Sequence, residues 1–590
     1  MGENERMNRL LWRTAFLSAL LLGATSAHTQ TAPDAATRFK ALYTREWAWR
    51  QAQSAGLDEN ADPKAARNRF PRVDPATQRD QLSYWTDVLR ELETIAAPQL
   101  SAEDQVNYAI YRAQVESLQA SAQFRDYEKP FNSDSSFWAD ATGAAKRPLR
   151  STADYRAFVA LMNDVPRYFR EQIVNMRAGL GRDFSVPRVT LTGRDASIAA
   201  VAEVKDPEAS PFYAPFKKMP LSIGPDDQTE LRAAAVKAIR DSLQPSYAEL
   251  LNFMRDEYMR KARVAIDAES YPEGKAYYQS KIREFTTVNL TPDEIHKIGL
   301  AEVAKIREQM VETIKKTDFK GDFPAFLKFL RTDPQFYAKS KEELLMRAAW
   351  IAKRVDGKMA DFFGLLPRAR FTIIPVPDEI APFYTSGRGG PGVYLVNTYN
   401  LPARPLYNLT ALTLHESAPG HAMQMSLAAE HSDQPEFRQK VYISAYGEGW
   451  GLYAEKLGVE MGLYETPYDH FGMLTYQLWR AARLVVDTGM HAKGWTRDRS
   501  LAFLRDNTAL AEHEITTEID RYIAWPGQAL SYYLGEMQIV KSRAQAEAAL
   551  GPKFDLKAFH DTVLSLGSVT LPQLEARINR FIAETAQPSR

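Results

Sequence analysis

Apolar residues recur every three or four positions through most of the chain, the spacing that gathers them on one face of an α-helix. QRDQLSYWTDVLRELETI (78–95) is one such stretch. SAEDQVNYAIYRAQVESLQASAQF (101–124) is another, opened by Ser101 and Asp104 in near capping-box spacing. TPDEIHKIGLAEVAKIREQMVETIKK (291–316) carries the fullest signal: Thr291 as cap, Pro292 in the first turn and Glu294 three residues after the cap. Such faces pack against a core. The pattern changes once. RFTIIPVPDEIAPFYTSG (370–387) and GVYLVNTYN (392–400) are rich in Ile, Val, Tyr and Phe, and SGRGGPG (386–392) between them reads as a turn or mobile loop. The pattern predicts a mainly α protein with a small antiparallel β-sheet at 370–400. A boundary near 270–290 separates a helical N-terminal region (29–280) from a second region (281–590) that holds the candidate chemistry.

The N-terminus follows a different rule. MNRLLWRTAFLSALLLGATSAHTQ (7–30) has Arg9 and Arg13, a largely apolar run from Ala15 to Leu22, then Thr25, Ser26 and Ala27 in place of an A-x-A cleavage site. Residues 1–28 therefore read as a secretory signal peptide, the apolar run being short for a membrane span. A periplasmic or secreted location follows, with no stable membrane anchor after cleavage.

Composition narrows the classes further. The 590 residues are 45% hydrophobic and 25% charged, with 74 basic and 74 acidic side chains. That suits a globular protein with a large core and gives no footprint for nucleic acid or a polybasic membrane contact. The absence of cysteine excludes disulfides, thiolate-ligated zinc, thiol nucleophiles and cysteine-linked lipid.

Six of the nine histidines lie between 415 and 513, and two of them bracket HESAPGH (415–421). Two histidines four apart on a helix point the same way, which is why H-E-x-x-H holds zinc. Here the spacing is six, and on a regular helix those positions lie about 120° apart. Pro419 cannot bond the carbonyl of His415, and Gly420 adopts dihedrals that other residues avoid. The expectation is a helix beginning near Leu406 that kinks or bulges at 418–420 and carries His421 to the side of His415. A catalytic zinc site needs a third protein ligand and an open position. YGEGWGLYAEKLG (446–458) supplies Glu448 as that ligand, and Glu455, seven residues on and on the same face, to orient a histidine from behind. Both could instead be carboxylates on a solvated face. Glu416 is the candidate general base toward a metal-activated water.

LTLHESAPGHAMQ (412–424), GEGWGLYAEKLG (447–458), RLVVDTGMHAKGW (483–495) and RYIAWPGQALSYYLGEMQI (521–539) resemble the bacterial family catalogued as domain of unknown function 885, as do GVYLVNTYN (392–400) and TPDEIHKIGLAEV (291–303). The resemblance covers most of the chain after residue 28. It implies a zincin-like metallopeptidase architecture, with His415, His421 and Glu448 as zinc ligands and Glu416 as catalyst. A looser similarity extends to helical peptidases of the angiotensin-converting-enzyme and carboxypeptidase Taq type, which place a Glu ligand some 25 residues after the second His. By that analogy Tyr522, or less directly His513, would stabilise the oxyanion. Those enzymes have four-residue histidine spacing, so helix geometry and substrate specificity do not transfer.

Arg483, Asp487 and His491 stand four apart on one helical face. They read either as a buried Arg–Asp pair or as a cluster that supports the site, with Arg483 facing a substrate carboxylate. The strand at 392–398 suits an edge that aligns an extended peptide, with Tyr384 and the glycine-rich turn closing over it. Together these features predict an exported zinc-dependent peptidase acting on short or unfolded peptides. The alternatives are a metal-dependent hydrolase of other amide conjugates and a catalytically silent periplasmic binding protein.

Overall fold

The structure is a computed structural model that describes residues 34–54, 67–133, 135–378 and 380–587. The signal-peptide reading of residues 1–28 lies outside the described residues. Among these, no helix is long and apolar enough to cross a membrane.

Helices dominate, and their ends follow local chemistry. Helix α1 (Pro75–Glu93) begins three residues before its periodic stretch, because the Asp74 carboxylate accepts from the N–H groups of Ala76 and Thr77 and Pro75 occupies the first turn. Helix α2 (Ala102–Phe124) is capped by Ser101, whose hydroxyl accepts from Asp104 N–H. Helix α3 (Pro292–Ile314) has the full capping box of Thr291 and Glu294.

The sheet is mixed, not antiparallel. Strand β1 (Thr372–Pro375) pairs parallel with β3 (Val393–Val396), and β2 (Gly387–Gly390) pairs antiparallel with β3. The spatial order is β1-β3-β2. The glycine-rich segment expected as a turn or mobile loop is thus itself a strand, and β3, expected as an edge, is central. Asn397 explains why: its side-chain amide donates to the carbonyls of Ala381, Tyr384 and Thr385, folding the segment before β2 back onto β3.

The helix expected from Leu406 begins at Leu409 and is broken rather than bulged. Helix α4 (Leu409–Glu416) stops and α5 (His421–Ala429) starts after a four-residue turn. Next come α6 (Ser444–Glu460), α7 (Pro467–Ala492), α8 (Glu512–Ala524) and α9 (Ser531–Leu550). Helix α7 is buried on every side from Phe471 to His491 and forms the axis of the largest core cluster, which also takes in Ile295, Val303 and Ile306 of α3. Helices α6 and α9 cross where both lack side chains: a Cβ at Gly449 would lie 2.4 Å from the backbone of Gly535. That close crossing fixes α6 one residue from Glu448. A second cluster, built on Trp138, Phe158, Val165 and Tyr247, fills much of the N-terminal helical region.

Candidate metal centre

Three elements meet at the site: the end of α4, the start of α5 and the first turns of α6. Ser417 N–H still bonds Thr413 O as helix, but Gly420 N–H reaches Leu414 O instead of continuing the ladder. The Ala418–Pro419 peptide is cis. Trp450 of α6 donates its indole N–H to Pro419 O at 2.7 Å and ties the turn to the helix that carries Glu448. Gly420 packs so closely that a Cβ would lie 1.9 Å from His415 O. The turn reverses the 120° offset: the imidazoles of His415 and His421 stand with ring centroids 4.8 Å apart at 84°.

Glu448 Oε2 lies 3.4 Å from His415 Nε2 and 3.2 Å from His421 Nε2. One ligand atom from each of the three residues falls within 4.8 Å of the others, so the group could hold a metal ion. Zinc with nitrogen and oxygen bonds of about 2.0–2.1 Å in tetrahedral geometry spaces its ligand atoms roughly 3.3 Å apart, the spacing found here between Glu448 and each histidine. Two imidazoles and a carboxylate suit zinc in type as well as distance. Charge agrees. Burial works against a charged His415, but hydrogen bonds to Glu448 and Glu455 outweigh it and lift the imidazole to about 10. Burial likewise opposes an ionised Glu448, yet the two histidines hold it well below the usual carboxylate range. The pocket is built to stabilise positive charge, whether proton or metal.

Around the three residues stand supports. Glu455, fully buried, contacts His415 Nδ1 at 2.7 Å, which fixes which nitrogen of the ring faces Glu448. The other nitrogen of His421, Nδ1, has no such partner among the described residues. Tyr442 donates to Glu448 Oε1 at 3.0 Å. Gly451 lies under the His415 ring, where a Cβ would come within 2.7 Å. Glu416 lines the cavity, and its Oε2 accepts the N–H of Gly389 in β2 at 2.5 Å. Sequence reasoning missed Tyr442 and the Gly389 amide. Nothing in six-residue spacing marks Tyr442, and a backbone N–H has no sequence signature.

The remaining candidates are dispersed. Tyr522 does not reach the cavity. It is fully buried, and its hydroxyl receives Trp479 Nε1 at 3.0 Å and Arg483 Nε at 2.7 Å while donating to Glu518 at 2.7 Å. With those bonds made, the hydroxyl has nothing left for an oxyanion, which corrects the expectation drawn from helical peptidases. Arg483 pairs with Glu518 at 2.8 Å, so the alternative of an Arg483–Asp487 pair is also corrected. Asp487 instead accepts from Tyr278 at 2.5 Å and from Gly527 N–H, and burial pushes it up to about 7 against those bonds. His491 takes Ala268 N–H on Nδ1 and donates to Tyr522 O; burial pushes it down to about 4, so it is neutral. Asp487 and His491 therefore brace helices rather than enter the site. His513 is exposed and Tyr384 half-buried, and both line the same cavity as the histidines. That cavity, of about 3280 Å³, is walled by α2, β2, the α4–α5 break, α7 and α8. The first turns of α6 complete the wall with Glu448.

Fold and site define a mainly helical protein with a buried His–His–Glu group able to hold a metal ion. Residues 50–578 match the family described as "Bacterial protein of unknown function (DUF885)", and the chain belongs to that family. Among solved structures, a candidate lipoprotein from Colwellia psychrerythraea is 26% identical, with a TM-score of 0.85 over 94% of this chain and 100% of that one. A candidate lipoprotein of unknown function from Shewanella oneidensis is 16% identical, with a TM-score of 0.69 over 92% and 99%. An M32 carboxypeptidase from Deinococcus radiodurans is 14% identical over 86% and 99%, but its TM-score of 0.31 is too low to carry any argument. No curated protein matches the chain in sequence.

Proposed function

We propose that this protein is an exported zinc-dependent peptidase that hydrolyses peptide bonds in short or unfolded peptides. The observation that carries the reading is the approach of both Nε2 atoms to one Glu448 oxygen, at 3.4 and 3.2 Å, across a broken helix. His415, His421 and Glu448 would hold the metal. When bound, zinc supplies Lewis acidity that polarises a carbonyl and lets water lose a proton near neutral pH. Glu416 would take a proton from the attacking water and pass it to the leaving amine. Gly389 N–H steadies one Glu416 oxygen and leaves the other for the proton. Glu455 orients His415, and Tyr442 orients Glu448. With Tyr522 engaged elsewhere, the oxyanion role falls to Tyr532, whose ring stacks 6.5 Å from His415 on the cavity wall and whose hydroxyl accepts from Arg521 at 3.2 Å.

The cavity supports a peptide rather than a small metabolite. Sites for small molecules run to about 300–1,000 Å³, and this one is several times larger. We take that volume as room for an extended chain. Export is supported by the signal-like residues 1–28 and by the candidate lipoproteins of similar fold, although this chain has no cysteine to carry lipid.

Incubation of the zinc-loaded protein with a mixed peptide library, read by mass spectrometry, tests the reading. We expect new termini with the wild type and a loss of turnover of about 10²–10⁴ in Glu416→Gln with zinc retained. An unchanged rate in that variant removes Glu416 from its role, and no cleavage of any peptide by the wild type removes the reading.

A further inference from the structure

Two guanidiniums on α7 hold the largest unmet hydrogen-bonding demand beside the metal centre. Arg480 and Arg483 stand one turn apart, so they share a helix face. They are only 4% and 2% exposed, yet both line the large cavity together with His415, His421 and Glu448. Arg483 spends Nε on Tyr522 and Nη2 on Glu518, and its Nη1 finds no acceptor among the described residues. Arg480 is less well supplied. Its nearest carboxylate contact among the described residues is Nη2 to Glu455 Oε1 at 3.5 Å, and its Nε and Nη1 have no acceptor among them. Buried donors are nearly always bonded, and charged ones most of all. Three nitrogens of two neighbouring cations at a cavity wall therefore call for an acceptor from outside the chain.

Packing fixes how that acceptor is met. The Arg480 guanidinium lies over the rings of Tyr476 and Trp479 at 4.4 and 4.1 Å, and that of Arg483 over Trp479 and Tyr532 at 4.4 and 4.2 Å. Stacked guanidiniums keep their planes and offer their N–H edges, a rigid fork that matches the two oxygens of a carboxylate. The position is one side chain from the candidate metal: Arg480 touches Glu455, which holds His415, and Arg483 covers Tyr532, which stacks on His415. Charge over the whole lining leans the same way. Among the described residues it holds eleven Lys and Arg against seven Asp and Glu, in a chain that is balanced at 74 and 74. Such a cavity draws anions inward.

We propose that Arg480 and Arg483 form a carboxylate-binding subsite that seats the free α-carboxylate of a peptide, so that cleavage is counted from the carboxyl end. The proposal rests on the peptidase reading for the identity of the ligand as a peptide. A carboxylate could come from the chain terminus or from an acidic side chain, and the experiment separates them. Zinc-loaded Glu416→Gln protein is titrated calorimetrically with N-acetyl-Ala-Ala-Phe, with its C-terminal amide, and with an N-acetyl-Ala-Glu-Phe amide. We expect the free acid to bind about tenfold or more tightly than either amide. Adding Arg480→Gln, which breaks no close hydrogen bond within the protein, should bring acid and amide to parity. Arg483→Gln should do the same where thermal melting shows that it folds.

Equal binding of acid and amide, no binding of any probe, or an acid preference that survives Arg480→Gln overturns the subsite. Binding of the Glu-containing amide as tightly as the acid overturns the assignment to the terminal carboxylate. Turnover of the mixed peptide library by wild-type protein is scored separately. If none is cleaved while the acid preference stands, the peptidase reading falls and the subsite remains.

Discussion

Glu455 does for His415 what no side chain among the described residues does for His421. Its carboxylate, 2.7 Å from Nδ1, selects the tautomer that turns Nε2 toward Glu448. Glu455→Gln should therefore keep the fold and weaken metal binding or activity by about 10–100-fold, measured by competition with a zinc chelator. Asp487 sets a second expectation, on stability. Burial raises it from 3.8 to about 7, so between those values the folded chain holds a proton that the unfolded chain has released. The stability this group contributes is full at low pH and is lost as pH rises toward 7. Asp487→Asn removes that dependence. Relative to wild type, its melting temperature should gain roughly 2 °C between pH 5 and pH 8, and a constant difference across that range would contradict the assignment. At this scale the sequence was most legible where spacing constrains direction. Glu448 and Glu455, seven apart on one helix, do lie on one face with His415 between them. It was least legible for Tyr522, because an analogy with other helical peptidases carries no information about which hydroxyl is already hydrogen-bonded.

The α4–α5 break is the element on which the site turns. Pro419 and Gly420 signalled an interruption, and the interruption is there. Its form was not legible, since a bulge and a clean break have the same composition. What decides is the carbonyl of Leu414, which Gly420 N–H takes, and the indole of Trp450, which holds Pro419 O. Neither is adjacent in sequence. Gly420→Ala places a methyl group 1.9 Å from His415 O, so the turn must open. We expect a loss of about 1–3 kcal/mol in stability together with loss of stoichiometric metal, seen by thermal melting and metal analysis. Normal metal content in that variant would show that the turn tolerates displacement and does not set the ligand geometry. The sheet teaches the opposite lesson from the helices. The capping box at 291 and the Ser101 cap are local and were read from local residues. Strand β2 is four residues of Gly-Arg-Gly-Gly with no strand propensity, and it exists because Asn397 and the β3 ladder hold it. Its place beside Glu416, through Gly389, is a tertiary fact.

On the scale of the whole molecule, helical bulk walls a large cavity, and the candidate metal centre lies on its wall. That the protein is mainly helical follows from periodicity, and that it has a small sheet follows from the Ile-, Val-, Tyr- and Phe-rich composition of 370–400. The shape of the cavity does not, because its walls come from segments as distant as residues 108 and 532. The central claim is that His415, His421 and Glu448 share one metal ion. The most direct measurement is metal content by mass spectrometry after zinc loading and gel filtration, for the wild type and for His415→Ala, His421→Ala and Glu448→Ala. We expect one zinc per wild-type chain and a substoichiometric amount in each variant, with the folded helical signal unchanged. A wild-type protein that retains no zinc, or a variant that keeps a full equivalent, would contradict it.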